Sequence, residues 1–144
     1  MDETAFRQKL SEMIERPCTF EKAILAGCVE CRRVERVQIA ERESVTCMNQ
    51  ASLSRCTSLH VHLRHGFAFA LKNLHENAAL SHAQEMRVQC GGLLGLQHVL
   101  NGCAEVENVD ALLDSALQQW GELAAIPYSE VVHEAALRYK GRHG

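Results

Sequence analysis

At 144 residues the chain has the size of one domain, spanning 1–144, with enough length to bury a real core. Its 47% apolar and 23% charged residues exclude a disordered polyelectrolyte, and no apolar run is long enough to cross a bilayer. A formal net charge of −3 leaves no basic footprint for nucleic acid and no polybasic patch for a membrane surface.

Two prolines and an aromatic content of 5% suit helices better than sheets, so the expected fold is an all-α bundle of six or seven helices. Phe6, Leu10 and Met13 recur at helical spacing, and Pro17 closes that first helix. Met1-Asp2-Glu3 opens the segment without a basic flank or apolar run, so no signal peptide is expected. The thiols are then expected to meet a reducing cytoplasm, where metal or redox chemistry prevails over structural bridges.

Thr19 is expected to cap a short helix carrying Phe20, Ile24 and Leu25, with Gly27 at its end. A further helix is expected over Val29 to Val45, with Val34, Val37 and Ala40 as its buried stripe. The central helix runs from Ala51 to Leu74, where Cys56, Leu59, Leu63, Phe67, Ala70 and Leu74 recur at intervals of three and four. Ser81 with Gln84 makes a capping box for a helix that includes Met86 to Gln89 and ends before Cys90-Gly91-Gly92. The glycine pair is expected to break or sharply bend the chain before Leu93 to Leu100. Asn101-Gly102 reads as a turn that leaves Cys103 exposed. Leu112, Leu113, Ala116, Leu117 and Trp120 build a helix ending near Pro127, and Ser129 is expected to cap the last one.

Chemical specificity resides in the seven cysteines. Cys28, Cys31, Cys47 and Cys56 fall in one stretch, and a Cys-x-x-Cys pair followed by two more thiols can build a tetrahedral sulfur site. Arg32 and Arg33 beside the pair favour thiolate. A condition attaches to the other two thiols. In one unbroken helix Cys47 and Cys56 would point in opposite directions, roughly 13 Å apart along the axis, so a shared site requires a break between Val45 and Ser52. Cys18 and Cys90 are the possible substitutes as ligands. The order of a close pair and two spread cysteines resembles that in high-potential iron–sulfur proteins. That resemblance covers those four residues and no surrounding pattern, and the turn-rich, aromatic-lined cage of that family is absent, so membership is not assigned.

An iron–sulfur cluster is the cofactor expected, because ligands drawn from several helices suit it better than a zinc ribbon, which ends in a second close pair. Zinc is the alternative. The function expected is electron transfer, redox sensing or cluster carriage beside a protein partner. The rival readings are a structural zinc protein, a metal-free helical interaction module whose cysteines fill the core, and a thiol-redox protein using Cys28 and Cys31. The histidines read as surface residues, with Cys56 and His60, four apart on one helical face, the one pair kept open as ligands. No phosphate loop, dinucleotide fingerprint or nucleophile elbow occurs, so no enzyme activity is assigned.

Overall fold

The computed structural model of the chain describes residues 4, 16–71 and 79–140. The first helix expected from Phe6, Leu10 and Met13 lies outside the described residues, as does Leu74. Glu21–Leu25 forms a short helix, α1, which ends before Gly27 at φ 80°. Thr19 does not cap it. Its hydroxyl lies 3.0 Å from that of Thr57, and Phe20 occupies the cap position.

The expected helix over Val29 to Val45 is replaced by a β-hairpin. Strand β1 (Val34–Ile39) pairs antiparallel with β2 (Arg42–Cys47), Val34 opposite Cys47 and Ile39 opposite Arg42. A two-residue turn at Ala40-Glu41 joins them, with Ala40 in the left-handed region at φ 57°. Val34, Val37, Ile39, Val45 and Thr46 are β-branched, and such side chains prefer a pleated ladder to a helical turn. Residues 16–18 extend the sheet locally: Pro17 bridges Thr46, and the Cys18 amide donates to the Val45 carbonyl at 2.9 Å.

After β2 the chain turns into the long helix α2 (Gln50–Leu71), and Asn49 Oδ1 accepts from the Ser52 amide at 2.9 Å as its cap. Cys56, Leu59, Leu63 and Phe67 are buried as one stripe, whereas Ala70 is exposed. Ser81 and Gln84 form the expected capping box at the start of α3 (His82–Met86).

The glycines do not break the chain there. Helical backbone continues through a π-turn at Arg87–Gly91 into α4 (Gly92–Asn101), which ends at Gly102 in the left-handed conformation. The missing side chains admit neighbours instead. A Cβ on Gly92 would press on Leu63, and one on Gly95 would run into the Val131 carbonyl of the last helix. Helix α5 (Val109–Trp120) is followed by a 3-10 turn at Leu123–Ala125 and by α6 (Tyr128–Arg138). Pro127 rather than Ser129 takes the cap position of α6.

Among the described residues, then, four helices of ten residues or more accompany a two-stranded antiparallel sheet, and the fold is not an all-α bundle of six or seven helices. The core joins Leu59, Leu63 and Phe67 of α2 to Leu93 and Leu96 of α4, Leu113 of α5 and Val131 of α6. Phe20, Ile24 and Val45 extend it under the hairpin. No helix among the described residues is long and apolar enough to cross a membrane.

Candidate metal centre

The expected ligand set divides between two places. Cys31, Cys47 and Cys56 line one small cavity, and the fourth thiol on it is Cys18. Cys28 faces away from them and forms a disulfide with Cys90, at a Cα–Cα distance of 5.8 Å. The break between Val45 and Ser52 is present, because β2 ends at Cys47 and α2 starts at Gln50. Cys90 lies inside the buried π-turn and not at an open chain turn.

Four chain segments bring the cavity thiols together. Cys18 and Cys47 are neighbours through the sheet extension, in which the Cys47 amide donates to the Arg16 carbonyl at 2.7 Å. Cys31 sits three residues before Val34, the partner of Cys47 in the hairpin register. Its loop is tied down on both sides: Glu30 exchanges backbone bonds with Val106 and Val109, and the Arg32 amide donates to Asn108 Oδ1 at 3.0 Å. Cys56 comes from the second turn of α2, on the stripe that faces the core.

Beside the thiols lies a buried carboxylate. Asp110, in the first turn of α5, is 6% exposed. It accepts from Ser52 Oγ at 2.6 Å, from Arg33 Nε at 3.0 Å and from Arg55 Nη2 at 2.8 Å. Arg55 also pairs with Asp114. Burial works to raise the Asp110 carboxyl, but the Ser52, Arg33 and Arg55 bonds outweigh it and hold it below the ordinary carboxylate value. This cluster ties the Cys31 loop, α2 and α5 to one point. Sequence spacing gave no sign of it, because Arg33 and Ser52 stand 77 and 58 residues from Asp110.

Burial, together with the nearby Cys31 and Cys47, pushes the Cys18 thiol up to about 12. Burial and the charges that Cys18, Cys31 and Cys47 would carry push Cys56 up to about 12 as well. As they are oriented, no three His, Cys, Asp or Glu side chains among the described residues form a set that could hold a metal ion. Cys47 Sγ instead donates to the Asn49 carbonyl at 3.2 Å.

His60 is engaged elsewhere, with Nε2 at 2.9 Å from Glu85 Oε2 and its ring edge-on to Phe20. Cys103 is exposed, as the turn at Asn101-Gly102 implies. Compared with protein-family models, with curated proteins and with solved structures, the chain finds no match.

Proposed function

We propose that the chain is a small metal-thiolate protein in which Cys18, Cys31, Cys47 and Cys56 hold one zinc ion that fastens the hairpin to α2. The observation that carries this reading is the convergence of four thiols, from four separate segments, on one cavity. Zinc takes four thiolates tetrahedrally at about 2.3 Å, so its ligands must all reach one point.

What favours a single ion over an iron–sulfur cluster is room. The cavity is small, with about 10 Å³ in which the centre of a water-sized sphere can sit, whereas a cluster needs its iron and sulfide atoms enclosed as well. Binding requires Cys47 to leave the Asn49 carbonyl and all four thiols to lose their protons. Arg33, which lines the cavity, offsets part of the charge left by four thiolates and one divalent ion. Asp110 then acts by holding Arg33 in place.

The test is metal stoichiometry. Protein purified under reducing conditions with zinc is expected to carry one zinc per chain. Cys18→Ser and Cys31→Ser should each lose it, and Cys103→Ser should keep it. Adding a chelator should lower the melting temperature of the wild type and leave that of Cys31→Ser unchanged. A brown protein containing iron and sulfide would restore the cluster reading. Zinc-free protein whose melting ignores the chelator would leave the thiols as core filler.

A further inference from the structure

A second cavity, of about 690 Å³, opens on the other side of α1 and is within the size range of small-ligand sites. Its lining is strongly biased in charge: among the described residues Lys22, Arg87 and Lys140 contribute three cations, His82 an imidazole, and no carboxylate lines it. Two acids whose charges act on Lys22 are bonded outside the cavity. Glu85 is turned to His60 at 2.9 Å, and Glu21 accepts from the Val45 amide at 3.3 Å. Lys22 Nζ lies 3.0 Å from His82 Nδ1, and because an ammonium can only donate, His82 accepts there and presents its Nε2–H. Leu25, Met86 and Tyr139 supply apolar surface between the cations.

The cavity also reaches the disulfide, and from one side. Cys28 lines it, whereas Cys90 is fully buried at 0% exposed. Of the two cysteines, only Cys28 lines the cavity.

We infer that this cavity is a binding site for a small thiol carrying carboxylates, which exchanges with the disulfide at Cys28. The carboxylates pair with Lys22, Arg87 and Lys140, and the sulfur is directed to Cys28. In the exchange the incoming thiolate forms a bond to Cys28 Sγ as the Cys28–Cys90 bond breaks. Cys90 leaves with the bonding electron pair and takes up the proton that the incoming thiol gave away. The products are a mixed disulfide on Cys28 and a free thiol at Cys90, with no net gain or loss of electrons. The inference is independent of what Cys18, Cys31, Cys47 and Cys56 hold.

The experiment uses the disulfide-containing chain with glutathione, which is anionic, 2-mercaptoethanol, which is neutral, and cysteamine, which is cationic. Peptide mapping is expected to find one glutathione per chain, on Cys28. The double variant Arg87→Glu/Lys140→Glu should slow the glutathione reaction about tenfold, leave 2-mercaptoethanol within about twofold and speed cysteamine. Glutathione on any other cysteine instead, or a glutathione rate unmoved by the double variant, would overturn the assignment. So would seven titratable thiols, in place of the five free ones, in protein prepared without reductant. Zinc content, read on the same samples, reports separately on the ion site.

Discussion

Asp110 is the residue on which three parts of the molecule depend at once. Its two oxygens satisfy donors from the Cys31 loop and from α2, and its own helix contributes the positive end of α5. Asp110→Asn keeps the shape but turns an amide toward two guanidinium groups. Hydrogen bonds to a charged group contribute about 1.5–3 kcal/mol each, and both arginines retain access to water, so the net loss expected is about 2 kcal/mol at neutral pH. The sign of the pH dependence follows from the lowered carboxyl. Folded Asp110 binds its proton less readily than the unfolded chain does, so its stabilisation is complete above the ordinary carboxylate value. It is lost as the pH falls through the folded value. Urea unfolding of wild type and Asp110→Asn should therefore differ at pH 7 and converge in acid. A gap independent of pH would place the effect in packing and not in charge.

Among the elements, the hairpin and the glycine-containing helix mark where local pattern misleads. Val34, Val37 and Ala40 stand at helical spacing, but that spacing competes with five β-branched residues, and the ladder to β2 decides between them. By contrast, Cys56, Leu59, Leu63 and Phe67 repeat over several turns, and the helix they imply is present. Ser81 and Gln84 were legible for the same reason, since a capping box closes within four residues. Gly91, Gly92 and Gly95 carry the opposite lesson: read locally they break a helix, but in the fold they let α4 lie against α2 and α6. Gly95→Ala should consequently cost about 2–3 kcal/mol, because the new methyl meets backbone that cannot rotate away. Gly102→Ala meets no atom within 4 Å and should cost about 1 kcal/mol, for the left-handed φ of 77° alone. Denaturant midpoints of the two variants check the order. Equal losses would mean that the helices part readily at Gly95.

For the molecule as a whole, the disulfide is the longest covalent constraint, joining residues 62 apart. It encloses the hairpin and α2, so that the Cys31 loop is anchored to the π-turn before α4. By chain entropy, closing a loop of that length stabilises the fold by about 4 kcal/mol. The double variant Cys28→Ser/Cys90→Ala should lose about that much in urea unfolding, and reductant should then have no further effect through this pair. A loss below about 1 kcal/mol would mean that the unfolded chain already holds these segments together.

The sequence by itself determined what closes within a few turns: the apolar stripe of α2, the capping box at Ser81 and the exposed turn at Cys103. It also pointed to the break between Cys47 and Cys56. Only the tertiary structure decided how the thiols divide, sending Cys28 to Cys90 and bringing Cys18 into the company of Cys31, Cys47 and Cys56. The reason is physical. Capping and helical stripes depend on neighbours within a turn or two, whereas the meeting of two thiols depends on hairpin register, helix packing and the cluster at Asp110. Those interactions join residues tens of positions apart, and spacing along the chain carries no record of them.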